Sequence, residues 1–509
     1  MADERKTPGY SLDAAVFVCG AVVMIYEIIG SRVVSPFIGT STYVWTSLIG
    51  VILGALSLGY WLGGRFADRK PSINILASAI FLAGGFVAVT ILCKEIILSF
   101  TSTAGVGLEI KSVIAAVLLF APASVALGFV TPYAVKLKLA SLSESGSTVG
   151  RLYALSTIGS IVGTFTAGFY LVPFVGSMRS LYLLAAVLFV VSVSLAAVSI
   201  TRTKIALLTL FFIAITLSEI NTFYLAHTRG LHDIDTEYSR VQIFQTTEPK
   251  SGRAVQAMAI DPYFVQSAVF LDSDELVFDY NKYYHLVRQL KPDFQRTLMI
   301  GGAGYTFPRN YLQTYPSATI DVVEIDPQMT AIAREYFRLK DDPRLNIIHA
   351  DGRTFLNQAP DASYDAVLMD AFGSLFNVPY QLTTIEAVRQ IHRVLKPDGV
   401  VIFNLGSALS GPSSRFLQAE FKTYQSVFPH VHLFKVNPDY TDDQLQNLII
   451  TACKSDCLAN GTTDPQITNL LTHRYTSGFP LDQPLLTDDL APVEHYNSAA
   501  LNLYRRPEQ

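Results

Sequence analysis

The chain has 509 residues, half of them hydrophobic and only 16% charged, against roughly a quarter charged in ordinary soluble domains. Lys and Arg total 38 and Asp and Glu 42, a formal net charge of -4, which excludes a strongly basic nucleic-acid binder. Four cysteines and a mean hydropathy of +0.33 exclude a disulfide scaffold and a disordered chain, leaving a membrane protein or a membrane part joined to a soluble part.

The first 228 residues alternate long apolar runs with short polar loops. They predict about seven spans, near 12–34, 43–64, 74–93, 112–131, 153–174, 180–200 and 204–225. Each approaches the ~20 residues needed to cross hydrocarbon. No signal-peptide pattern precedes the first. Small residues recur, as in Gly159, Ser160, Gly163 and Gly168, and small residues let membrane helices pack closely. Pro122, Pro132 and Pro173 are expected to kink or end helices. Glu27 lies mid-span with Arg32 five residues on; the expectation is an ion pair that locks two helices, with a substrate or proton path as the other reading.

Beyond residue 228 the composition becomes that of a soluble protein. Residues 229–285 are strand-rich and predict a small antiparallel β domain. From 286 to 509, strand-like runs at Thr297–Ile300, Thr319–Glu324, Leu345–His349, Tyr364–Leu368 and Gly399–Asn404 alternate with amphipathic helical ones. That alternation predicts an open parallel sheet covered by helices. The fold expected is thus a multi-pass α-helical membrane domain (1–228), a small antiparallel β domain (229–285) and an α/β Rossmann-like domain (286–509).

The chemistry concentrates between Thr297 and Asp370. The strand Leu298-Met299-Ile300 runs into Gly301-Gly302-Ala303-Gly304, a turn that lets backbone approach a ligand. A second strand ends at Glu324, about 20 residues on, the spacing at which a carboxylate meets ribose hydroxyls. A third ends at Asp351-Gly352 and a fourth at Asp370. Ligands of open parallel sheets bind along that carboxyl edge. The pattern lacks G-x-G-x-x-G, so an adenosyl-sulfonium fits better than a dinucleotide. The competing reading makes each acid the cap of the helix that follows it.

Taken together with Val323-Glu324-Ile325-Asp326, Asp342-Pro343-Arg344, Asp351-Gly352-Arg353, Tyr364-Asp365-Ala366-Val367 and Leu395-Lys396-Pro397-Asp398-Gly399, residues 238–440 resemble the spermidine synthase (polyamine aminopropyltransferase) family, in its membrane-fused subgroup. The resemblance implies aminopropyl transfer from decarboxylated S-adenosylmethionine to an amine such as putrescine, giving spermidine and 5'-methylthioadenosine, with no tightly bound cofactor. It implies that Gln242, Gly301, Gly302, Glu324, Asp351 and Gly352 hold the nucleoside. Asp370 would take a proton from the attacking amine, and Gln266, Tyr280 and Asn281 would line the amine. A homodimer is a family-level expectation. No metal site is expected, because Cys453 and Cys457 have no further ligands nearby; they are expected to be a pair of thiols, and a disulfide there would favour the extracytoplasmic side.

The sequence departs from the family pattern twice. Gly304 stands where the family's glycine motif has Asp, and Asp370-Ala371-Phe372-Gly373 lacks the second Asp of Asp-Ser-Ser-Asp. Glu275, Asp279 and Asp272 are the acids available to compensate. The loss also opens a rival, a methyltransferase or other user of intact S-adenosylmethionine, with Arg309 meeting the cofactor's carboxylate. A third reading is a transporter or sensor that only binds a nucleoside. His285 and His349 are read as mainly structural, and Tyr305 equally as a packing residue or as one that touches ligand.

Positive charge lies in alternate loops: Arg65, Arg69 and Lys70; Lys136, Lys138 and Arg151; Arg202 and Lys204. The positive-inside rule puts these loops and the N-terminus in the cytoplasm. Gly63-Gly64-Arg65-Phe66-Ala67-Asp68-Arg69-Lys70 also resembles the cytoplasmic loop after the second helix of major-facilitator transporters. Seven crossings would then place the soluble part outside. A cofactor made in the cytoplasm argues instead for a cytoplasmic catalytic domain with one span incomplete or missed, and that is the location expected.

Overall fold

The computed structural model describes residues 9–39, 41–139, 145–196, 201–261, 264–371, 378–458 and 462–503. They form two compact units, Met1–Arg240 and Val241–Gln509.

The first unit is helical: α1 (Gly9–Ile38), α2 (Thr42–Arg69), α3 (Ile73–Thr103), α4 (Leu108–Leu119), α5 (Ala121–Gly128), α6 (Val130–Lys138), α7 (Ser145–Thr166), α8 (Ser177–Leu195) and α9 (Arg202–Arg229), then the short strand β1 (His232–Asp235). Among the described residues six helices are long and apolar enough to cross a membrane, or seven if one bent pair counts as a single span. That bent pair carries the kink expected at Pro122 in the fourth span. It turns by 53° between α4 and the segment Ala121–Lys138, because Pro122 lies in the first turn of α5, where a missing N–H costs nothing but a straight continuation would clash. Pro173 sits in a wide π-helical turn, Ala167–Val175, that continues α7. Gly159 and Gly163 pack α7 on α1: a Cβ at either would strike the carbonyl of Phe17 or Ala21, whereas Gly168 faces open space. Outward-facing apolar side chains such as Ile96, Phe100 and Phe169 are largely exposed, as on a surface that meets lipid tails.

The second unit opens with β2 (Arg240–Thr247), β3 (Ala254–Ala259) and β4 (Val265–Phe270), which pair in sequence, antiparallel. After α10 (Asp279–Tyr283) and α11 (Val287–Leu290) come β5 (Arg296–Ile300), α12 (Thr306–Thr314), β6 (Thr319–Glu324), α13 (Pro327–Tyr336), β7 (Leu345–His349), α14 (Gly352–Gln358), β8 (Tyr364–Met369), α15 (Ile385–Val394) and β9 (Leu395–Ser407). The chain continues through α16 (Arg415–Gln425), β10 (His430–Lys435), β11 (Gln446–Cys453), α17 (Pro465–Thr472), β12 (Arg474–Tyr475) and α18 (Val493–Leu503).

The large sheet has the order β12-β10-β11-β9-β8-β5-β6-β7. Strands β5 to β9 are parallel, and β9, β11, β10 and β12 pair antiparallel. Period-two alternation divides the core between its faces. Leu298, Ile300, Val367 and Phe403 enter one apolar cluster, and Met299, Val322, Leu368 and Ile402 the other. The chain runs from β5 outward to β7, then returns to place β8 on the other side of β5. The crevice for a ligand therefore falls at the carboxyl ends of β5 and β8.

Cys453 and Cys457 form a disulfide, which corrects the expected thiol pair. Both are buried; the short separation lets the chain double back at the end of β11 and brings the two sulfurs together out of solvent.

Candidate active site

At the end of β5 the chain turns sharply. Gly301 has φ +96°, and a Cβ there would lie 2.6 Å from the carbonyl oxygen of Asp370. Only glycine allows β5 and β8 to end so close together. The Asp370 N–H also donates to Ile300 O at 2.9 Å, fixing the acid beside the turn.

Glu324, buried at the end of β6, governs that turn. Its Oε2 accepts from the N–H groups of Gly302 and Ala303, each at 2.9 Å, and its Oε1 accepts from Asp326 N–H at 3.0 Å. Burial pushes its pKa up, and these three donors pull it back. Asp351 caps α14, accepting from Thr354 N–H at 2.8 Å, and Asp326 caps α13, accepting from Gln328 N–H at 3.0 Å. Asp351 and Asp326 therefore cap the helices that follow them, and Glu324 braces the glycine turn. Gly352 packs on Ile300, whose Cγ2 a Cβ would meet at 2.8 Å.

Asp370 is the most perturbed acid of this edge. Burial raises its pKa to about 7, opposed by hydrogen bonds from Tyr284 and Asn404. Asn404 Nδ2 lies 3.4 Å from Asp370 Oδ1, and Asn404 Oδ1 in turn accepts from Asn447 Nδ2 at 2.9 Å. This relay crosses from β11 through β9 to β8. Tyr284 is fully buried, its hydroxyl 3.3 Å from the carbonyl of Met369. Tyr280 meets Tyr284 edge-on with centroids 6.3 Å apart, and the negative charge of Asp370 helps raise both phenol pKa values, after burial. A carboxylate with this pKa, walled by phenols, can accept a proton near neutrality.

Neither Asn404 nor Asn447 was singled out from sequence. The signal was a polar side chain inside Val400-Val401-Ile402-Phe403-Asn404-Leu405, since a buried amide needs a reason to be there.

The other expected residues are placed as follows. Gln242 is half-buried on β2, opposite Ala259. The amide of Gln266 is engaged in its own turn, Oε1 accepting from Ile260 N–H at 2.7 Å and Nε2 donating to Asp261 at 3.2 Å. Asn281 is buried, and its Oδ1 has no hydrogen-bond partner among the described residues. The acids named as compensators carry cations already: Arg253 bridges Asp272 and Glu275, and Asp279 holds Lys250 and Lys282.

Gly304 leaves no room for the acid of the family motif. Its N–H donates to Ser267 Oγ at 3.0 Å, and a Cβ would lie 2.7 Å from Ser267 Cβ. Phe372 and Gly373 lie outside the described residues. Arg309 is paired with Asp274. Tyr305 is buried and bonded to Thr330, which also meets His349 Nε2 at 2.9 Å. His285 is held between Tyr315 and Asn310, and burial lowers its pKa to about 4, so it is a neutral core residue. Among the described residues no group of three His, Cys, Asp or Glu could hold a metal ion.

The second unit thus carries a Rossmann-like sheet with a braced glycine turn and a raised carboxyl, Asp370, at its switch point. Residues 265–452 match the spermine/spermidine synthase domain. The chain is 24% identical over 448 residues to polyamine aminopropyltransferase 1 of Streptomyces coelicolor, covering 81% of this chain and 77% of that one. That match is longer than the second unit and so reaches into the helical unit. A polyamine aminopropyltransferase of Vibrio vulnificus is 26% identical over 221 residues, covering 43% of this chain and 71% of the relative. Among solved structures, a probable spermidine synthase from Corynebacterium glutamicum is 22% identical with a TM-score of 0.39, over 46% of this chain and 83% of that one.

Proposed function

We propose that the protein is a membrane-anchored polyamine aminopropyltransferase. An amine such as putrescine attacks the aminopropyl carbon next to the sulfonium of decarboxylated S-adenosylmethionine. The C–N bond forms as the C–S bond breaks, 5'-methylthioadenosine leaves, and Asp370 accepts the amine proton. Gln242, Glu324, Asp351 and Gly352 hold the nucleoside over the turn of Gly301 and Gly302. Tyr280 and Asn281 line the amine, with the turn closed by Gln266 beside them. The sulfonium is already a good leaving group, so the chain's contribution is alignment and proton removal.

The observation that carries this reading is Asp370: a carboxyl with a pKa of about 7, fixed at the switch point beside a turn that only glycine permits. The organisation proposed is a transmembrane part (1–228), a strand domain (229–285) and a Rossmann-like domain (286–509), working as a homodimer in the bilayer. One observation favours a second reading, transfer from intact S-adenosylmethionine: the family's acid at Gly304, which would repel that cofactor's carboxylate, is missing. Against it, Arg309 is committed to Asp274. Calorimetry of the full chain with decarboxylated and intact S-adenosylmethionine, followed by chromatographic detection of 5'-methylthioadenosine with putrescine present, tests the proposal. Binding of the intact cofactor alone overturns it.

A further inference from the structure

The helical unit has two chemically different ends. At one, Asp13 at the start of α1 pairs with Lys138 at the end of α6 and with Arg151 of α7. Asp68 of α2 pairs with Lys136 at 2.8 Å, and Ser72, before α3, donates its N–H to Tyr133 of α6 at 3.1 Å. Arg65, Arg69 and Lys70 at the end of α2, and Arg202 and Lys204 at the start of α9, belong to this end by chain order.

At the other end, Lys111 of α4 donates to the carbonyl of Ser102 at the end of α3. Asp235 accepts from Ser177 N–H, at the start of α8, at 2.7 Å. Arg32 of α1 donates to Glu237 O at 2.6 Å, and Arg240 holds Asp233 at 2.6 Å.

Two consequences follow. The bent pair begins beside the end of α3 and finishes beside the starts of α1 and α3. It therefore passes from one end to the other, a broken span rather than a re-entrant loop, and among the described residues the candidate crossings number seven. The segment 232–240, from which the second unit continues, is fastened to the end opposite the Lys- and Arg-rich loops. Short loops rich in Lys and Arg stay in the cytoplasm. Independently, the second unit carries the Cys453–Cys457 disulfide, a bond that persists in oxidising compartments and is rare in the cytosol.

We infer that the second unit faces the extracytoplasmic side of the membrane. This replaces the cytoplasmic location expected from where the nucleoside is made, and it does not depend on the reaction proposed. If the enzyme is an aminopropyltransferase, both the sulfonium donor and the amine are met outside the cytoplasm.

The test uses the full chain with Cys19 and Cys93 changed to Ser and the native disulfide kept. Lys340→Cys lies on an exposed part of the second unit and Pro71→Cys in the loop between α2 and α3. In intact cells a membrane-impermeant polyethylene glycol maleimide is expected to shift Lys340→Cys on a gel. Pro71→Cys is expected to shift only after permeabilisation. Protection of Lys340→Cys, or labelling of Pro71→Cys in intact cells, overturns the inference. If the cysteine variants fail to accumulate, reporters fused after Gln509 of the native sequence decide it. Active alkaline phosphatase with dark green fluorescent protein supports the extracytoplasmic side, and the reverse overturns it.

Discussion

Removal of the Asn404 amide should move the acid limb of the pH–rate profile. Asn404 Nδ2 is a donor to Asp370 at 3.4 Å, and its bond favours the ionised carboxylate. Hydrogen bonds to charged groups contribute ~1.5–3 kcal/mol, and one this long is taken as about 1 kcal/mol, or about 0.7 of a pKa unit. With the Asp370 pKa at about 7, about half of the native enzyme is ionised at pH 7. In Asn404→Ala the fraction falls to about one sixth, a loss of about threefold in kcat/KM at pH 7 that vanishes in the alkaline range where both forms are fully ionised. The assay is 5'-methylthioadenosine release from decarboxylated S-adenosylmethionine and putrescine across pH 5.5 to 9.5, with folding checked by thermal melting. An acid limb that stays in place, or an equal loss at every pH, refutes the argument that Asn404 acts by lowering the pKa of Asp370.

Asp370→Asn should abolish turnover yet raise the melting temperature at pH 8 relative to native protein. Because the folded pKa lies above the unfolded value, the neutral acid's contribution is complete below about pH 4 and lost as pH rises through about 7; equal melting temperatures at pH 8 would contradict this. Gly301→Ala should cost about 1–3 kcal/mol and most nucleoside binding, since φ is +96° and the new Cβ meets the Asp370 carbonyl at 2.6 Å; denaturant melts and calorimetry read both effects. Arg309→Ala should leave the ratio of affinities for decarboxylated and intact S-adenosylmethionine unchanged, because its partner is Asp274; a selective loss of the intact cofactor would show that Arg309 binds it. His285 should remain neutral from pH 5 to 8, its pKa lying near 4, and a histidine titration in that range by NMR would contradict its place in the core.

The parallel sheet was legible because its signals are local. Thr319–Glu324 and Leu345–His349 are strands with the bounds the apolar runs suggest, and β8 extends the predicted strand by only Met369. The glycine turn and the acids at strand ends were legible for the same reason. What sequence could not supply was pairing in space. That Glu324 braces the turn depends on three N–H groups whose directions only the fold sets. The relay from Asn447 to Asp370 joins residues 77 apart, and no spacing rule links them. The disulfide depended on how the chain turns after β11. The charged loops were readable, but their grouping into one end of the helical unit needed the ion pairs of Asp13 and Asp68.

The fit of Gly304 against Ser267 couples the two positions. An acid at position 304 needs space that the serine side chain already fills, and the serine hydroxyl is also the acceptor for the backbone amide of residue 304. An Asp at position 304 would thus need a smaller residue at 267 as well, and a residue there without a hydroxyl would leave the amide of residue 304 without that acceptor.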